Sequence, residues 1–91
     1  MRLRYSAEAR RQIRTIGDYI ANDNPAAAKR VVARIRDAAR LLANFPRIGR
    51  PGRAAGTREW VLSRLPYRII YEVGEDEVTI LNVFHTAQNR P

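Results

Sequence analysis

The feature that most constrains this chain is a change of hydrophobic period near Thr57. Before it, apolar residues recur every three or four positions; after it, they recur every second position. Ala9, Ile13, Ile16 and Ile20 fall on one face of a helix, with Arg10, Arg11, Arg14 and Asp18 opposite. Ser6 is placed to cap that helix, and Glu8 stands in its first turn, where the helix dipole favours an acid. Gly17 is its weak spot, at about 1 kcal/mol relative to Ala. Asn22-Asp23-Asn24-Pro25 breaks the pattern: Asn24 caps, and Pro25 suits a first helical position that needs no N–H. The second helix is expected to run to about Ala43. Its apolar arc is Ala28, Val31, Val32, Ile35, Ala38, Ala39 and Leu42, and Lys29, Arg30, Arg34, Arg36 and Arg40 fill the remainder. So short a break implies an antiparallel helix hairpin.

Phe45-Pro46 ends the second helix, because the residue before a proline resists helical geometry. Pro46–Gly56, with two Pro and three Gly, reads as a loop, its ends ordered by Phe45 and Ile48. Three strands follow. Thr57–Ser63 puts Arg58, Trp60 and Leu62 on one face; Tyr67–Val73 puts Tyr67, Ile69, Tyr71 and Val73 on one face and Arg68, Ile70 and Glu72 on the other; Val78–His85 is mostly apolar, hence central or well covered. Arg64-Leu65-Pro66 and Gly74-Glu75-Asp76-Glu77 are turns too short for crossovers, so the three strands form an antiparallel meander. Arg2–Tyr5 alternates as a further short strand, whose docking place the pattern does not give. The expected plan is β-α-α-β-β-β, a helix hairpin on a small, mainly antiparallel sheet, in the α+β class, with residues 1–91 as one domain.

The charge is unusual. Formal net charge is +8 over 91 residues, and of 17 basic side chains only Lys29 is a lysine. Arginine pairs in bidentate fashion with carboxylate or phosphate, so an acidic protein and a nucleic acid both qualify as partners. Residues 1–45 carry +6, residues 46–56 carry +3 and residues 57–91 carry −1. The surplus therefore lies on helix faces and the central loop rather than on the sheet, which favours an acidic protein over direct nucleic-acid binding. With no Cys and one His, neither a disulfide framework nor a metal site is expected, and no cofactor. No apolar run is long enough to span a membrane, and Met1–Tyr5 lacks a signal-peptide stretch, so a cytoplasmic protein is expected.

Four segments in order resemble the RelE/ParE superfamily of toxins from type II toxin–antitoxin systems, and more closely its ParE, plasmid-stabilisation branch. They are Leu3-Arg4-Tyr5-Ser6 with Ala9 and Ile13; Asn24-Pro25-Ala26-Ala27-Ala28; Phe45–Gly52 with Gly56-Thr57-Arg58-Glu59; and Tyr67–Tyr71 with Val83–Gln88. The resemblance covers nearly the whole chain. It implies the same β-α-α-β-β-β fold and a cognate antitoxin whose C-terminal segment wraps the toxin. For the target it implies either DNA gyrase, inhibited by binding, or messenger RNA, cleaved as in the RelE branch.

Two sets of site residues follow. For the binding reading they are Arg47, Arg50 and Arg53, three loop arginines with no compensating acid, together with Arg58 and Trp60, residue types that often dominate interface energy. The alternative for Trp60 is a plug for the core under the second helix. For the nuclease reading they are His85 as acid–base, Arg64 and Arg68 on a phosphate, and Glu59 or Glu72 to orient the imidazole. The alternative for His85 is a hydrogen-bonded residue at a strand end. Ribonucleolytic relatives typically add basic side chains and an aromatic hydroxyl toward the C-terminus. This chain has no Tyr after Tyr71 and no Lys after Lys29. The binding reading, gyrase inhibition by a non-enzymatic toxin, is therefore the leading expectation. The RelE-like nuclease and a non-toxic antitoxin-binding module are its alternatives.

Overall fold

The two helices start where the capping chemistry places them. The computed structural model describes residues 1–87. α1 (Ala7–Ala21) opens as the Ser6 hydroxyl accepts the Ala9 amide at 2.9 Å. α2 (Pro25–Asn44) opens as the Asn24 side chain accepts the Ala27 amide at 3.0 Å, with Pro25 in its first turn. Ala9 and Ile13 of α1 and Ala28, Ile35, Ala39 and Leu42 of α2 are buried, while Ile16, Val31, Val32 and Ala38 pack partly buried beside them. Gly17 has a purpose that helix propensity alone hides: a Cβ there would stand 3.2 Å from Val32 Cγ2, so the glycine lets the helices approach closely.

The strands are β1 (Arg2–Tyr5), β2 (Arg50–Pro51), β3 (Thr57–Val61), β4 (Tyr67–Val73) and β5 (Glu77–His85), in one sheet of order β1-β5-β4-β3-β2. β3, β4 and β5 form the expected antiparallel meander. β1 docks parallel to β5, with Leu3 opposite Val78 and Tyr5 opposite Ile80, which makes β5 an interior strand and explains its apolar run. Arg58 faces Tyr71 and Trp60 faces Ile69 across β3–β4, so their side chains share the helix-covered side of the sheet. Tyr71, Ile35, Leu42, Ile69, Ile80 and Val78 are fully buried between the helices and the sheet.

Two local features depart from the regular reading. The Pro46–Gly56 loop contains a two-residue edge strand, with Arg50 opposite Glu59 and Pro51 opposite Arg58. β5 also carries a bulge: Tyr71 pairs with Ile80 and Ile70 with Asn82, so Leu81 is the extra residue. β1 ends at the level of Ile80, and α1 takes over there. The Ser6 amide donates to the Ile80 carbonyl at 2.9 Å, and the Ser6 hydroxyl donates to the Leu81 carbonyl at 2.8 Å. The Val83 amide donates to the Gln12 side-chain oxygen at 2.7 Å. Side chains of one helix thereby replace a strand along the open half of β5.

Candidate functional site

Phe45 and Ile48, expected to order the ends of the central loop, are 57% and 42% exposed and do not hold it. Two residues of the sheet hold it instead. The fully buried Tyr71 hydroxyl accepts the Gly49 amide at 3.0 Å and donates to the Pro46 carbonyl at 2.7 Å. The Arg58 guanidinium donates to the Gly49 carbonyl at 2.7 Å and, more distantly, to that of Arg47 at 3.4 Å. Arg58 is thus committed to the loop's backbone.

The three loop arginines divide. Arg50 does have an acid, Glu59, at 3.1 Å, contrary to the expectation of an uncompensated triplet. Sequence distance hid the pair, because it forms only once β2 lies against β3. Arg47 and Arg53 are exposed and form no ion pair among the described residues.

Glu59 is the centre of the sheet face that the helices leave uncovered. Its side chain is only 7% exposed. Arg50 and Arg68 approach it from either side, Arg68 at 3.6 Å with its own side chain 15% exposed. The Arg68 guanidinium also lies over the Phe84 ring, 5.5 Å from its centroid, on the neighbouring strand. A carboxylate shared by two guanidiniums, one of them stacked on an aromatic ring, fixes all three groups in place.

His85 is not part of that cluster. It pairs in register with Tyr67, one position away from the Arg68–Phe84 pair, so alternation along the strand sends Arg68 and His85 to opposite faces of the sheet. The His85 and Tyr67 rings meet edge-on, with centroids 5.4 Å apart, and His85 Nδ1 accepts the Ala87 amide at 3.1 Å. They line a groove of about 430 Å³ that α1 completes with Glu8, Gln12 and Tyr19. Burial pushes the Tyr67 phenol above its ordinary value, and the neighbouring Tyr19 adds to the effect. Arg64 occupies the β3–β4 turn, exposed, with a left-handed φ of 66°. Glu72 is exposed on β4, opposite Thr79 and Thr57. Of the nuclease candidates, then, the structure brings Glu59 to Arg68 and holds His85 apart from both.

Trp60 packs against the core, the alternative given for it, and keeps part of its surface open. It is half-buried against the core, and its remaining surface opens into a shallow groove of about 240 Å³ with Ala38 and Leu41 of α2 and Leu62. Arg34, at the same groove, donates to the Ser63 carbonyl at 2.8 Å.

Three residues that matter here carry no role in the sequence reading: Gln12, Glu59 as the partner of two arginines, and Tyr71 as the loop's anchor. Gln12 had a signal, since it lies between Ala9 and Ile16 at three- and four-residue spacing, a polar side chain inside the apolar stripe. The described residues contain no group of His, Cys, Asp and Glu able to hold a metal, and no helix among them is long and apolar enough to cross a membrane.

Comparison with known proteins agrees with this architecture. The family model for the ParE toxin of type II toxin–antitoxin system, parDE, matches residues 3–90. The chain is 49% identical to Y4kP of Sinorhizobium fredii over 90 residues, covering 99% of this chain and 93% of that one. Among solved structures, a chain of the chromosomal ParDE system from P. aeruginosa superposes with a TM-score of 0.83 at 26% identity, covering 93% of this chain and 95% of that one. A chain of the RelBE2 toxin–antitoxin complex from Mycobacterium tuberculosis gives 0.67 at 28% identity, with 92% and 95% covered. With a family match across almost its whole length, on a fold of two helices over a five-stranded sheet, the chain belongs to the ParE toxin family of type II toxin–antitoxin systems, within the RelE/ParE superfamily.

Proposed function

We propose that this toxin acts by binding, that its target is DNA gyrase, and that a cognate antitoxin neutralises it in the cytoplasm. The observation that carries the reading is the separation of Arg68 from His85. In-line cleavage of a phosphodiester needs an acid–base group and a phosphate-holding cation around one phosphorus. Here one candidate lies under Glu59 on the open face and the other under α1 on the opposite face. Such a surface is suited to holding a partner rather than to turning over a substrate.

The expected antitoxin is acidic in its C-terminal half, with spaced apolar side chains. The apolar groups suit the Trp60–Leu41 groove, and the acids suit Arg47 and Arg53, which have no carboxylate of their own among the described residues. The two solved relatives are named for toxin–antitoxin systems, ParDE and RelBE2, which supports a partner of that kind for this chain. A supercoiling assay tests the target. Inhibition of purified gyrase by micromolar toxin, reversed by the antitoxin and retained in His85→Ala, is the expected result. Untouched gyrase, together with messenger cleavage that His85→Ala abolishes, overturns the reading in favour of a nuclease.

A further inference from the structure

The two helices carry eight basic side chains against three acidic ones, and of the basic ones only Arg11 and Arg34 line a groove described above. Within the hairpin, Arg11 pairs with Glu8 and Arg40 with Asp37, each one turn away on its own helix. Arg10, Arg14, Lys29, Arg30 and Arg36 form no ion pair among the described residues. Arg10, Arg14 and Arg36 line a furrow of about 370 Å³ between α1 and α2. Lys29 joins Arg36 along its continuation toward Pro25, and Asp18 is the one acid that lines either part. The close approach at Gly17 and Val32 draws the cationic rows of the two helices together. Arg36 is already oriented, its guanidinium 5.4 Å from the centroid of the Tyr5 ring.

The chemistry of the furrow separates its possible partners. Protein interfaces bind chiefly through desolvated apolar and aromatic anchors, and although Arg is frequent among these, Lys and charged residues as a class are depleted from their centres. Among the described residues the large exposed apolar side chains, Met1, Tyr19, Leu41, Phe45, Ile48, Val61 and Val73, all lie outside the furrow, whose apolar floor is built of small residues with Ile13 and Val32. A phosphate backbone needs the reverse, spaced cations without apolar anchors. Single strands need open aromatic faces for their bases, whereas no aromatic side chain among the described residues lines either part of the furrow and Tyr5 is covered by Arg36. At 1.5 Å per residue α2 is roughly 30 Å long, which spans about nine base pairs of duplex.

We propose that the furrow between α1 and α2 is a binding site for the backbone of double-helical DNA, with Arg10, Arg14, Lys29 and Arg36 on its phosphates. The site does not depend on gyrase being the target. Fluorescence anisotropy of the full chain with a labelled duplex of arbitrary sequence, across a salt series, tests it. Four phosphate contacts give a slope of log Kobs against log salt of about −4. The triple variant Arg10→Gln/Arg14→Gln/Lys29→Gln is expected to flatten it to about −1 and to weaken binding more than tenfold at low salt. The charge-matched variant Arg2→Gln/Arg4→Gln/Arg40→Gln removes the same net charge outside the furrow and is expected to leave the slope within about one unit of the parent. Equal losses in the two variants overturn the proposal, since net charge alone would then explain binding. So do undetectable binding at low salt, tighter binding of a single strand, or duplex RNA bound as well as DNA.

Discussion

Gly49 and Tyr71, 22 positions apart, are joined by the Gly49 amide donating to the Tyr71 hydroxyl at 3.0 Å, with the phenol sealed inside the core. The same hydroxyl donates to the Pro46 carbonyl, so Tyr71→Phe strips a buried amide and a carbonyl of their partner at once. The expected cost is about 1–3 kcal/mol. For a domain of this size that lowers Tm by roughly 4–8 °C per kcal/mol, readable by circular dichroism. Gly49→Ala is expected to be worse, because a Cβ there would press on the Tyr71 hydroxyl and stand 2.7 Å from the Glu59 carbonyl oxygen.

Glu59 is a charged side chain on an uncovered sheet face, yet it is buried by its two arginines. Glu59→Ala leaves the nearly buried Arg68 without that carboxylate. Breaking a buried pair costs about 3–5 kcal/mol, and the exposure of Arg50 puts this case near about 2–3. Urea denaturation measures it, and Glu59→Gln, which keeps the shape and an acceptor, is expected to recover part of the loss.

Gln12 supplies the acceptor that a strand would otherwise supply to the Val83 amide. Gln12→Ala is expected to cost about 1 kcal/mol, with faster hydrogen exchange at Val83 while the Tyr71 and Ile69 amides stay protected. Loss of protection across the whole of β5 would show instead that the helix side chain holds the strand itself.

These residues show where the sequence could be read and where it could not. Ser6, Asn24 and Pro25 announced both helices because capping is local chemistry, completed within three or four residues. The strand faces were equally legible, because alternation at Trp60, Ile69 and Tyr71 is also local. The parallel docking of β1, the Arg50–Pro51 strand and the sharing of Glu59 by Arg50 and Arg68 were not. Each joins segments from different parts of the chain through backbone pairing, and period-two patterning carries no information about which edges meet. The Arg64, Arg68 and His85 set looked coherent for the same reason: sequence proximity on adjacent strands conceals which face each side chain takes.

Alkaline pH probes Tyr5 and Tyr67. Burial raises Tyr5 and Tyr67 above 10.0, and Arg36, then Arg40, pull Tyr5 partly back. A phenol that keeps its proton longer in the fold than in the unfolded chain stabilises fully below the unfolded value. That contribution is lost as pH rises through the folded one. Stability to urea is therefore expected to fall over the alkaline interval above about pH 10, with Tyr5 and Tyr67 titrating late by absorbance at 295 nm. Tyr67→Phe is expected to remove one late phenol and soften the fall. A stability that rises over that interval contradicts the assignment.

Leu41 separates partner binding from core packing better than Trp60 does. Trp60→Ala would open the core, because the ring is half-buried against it, whereas Leu41 is 38% exposed and stands at the rim of the same groove. Leu41→Asp is expected to change stability by only about 0.5–1 kcal/mol. Toward an acidic antitoxin it removes an apolar contact and sets a like charge beside it, two effects that add. The complex is expected to weaken at least tenfold by calorimetry, and co-expressed antitoxin should protect cells less well against the variant than against the parent toxin. Unchanged affinity would move the antitoxin off this groove, and the exposed Tyr19 beside His85 would then mark the next surface to substitute.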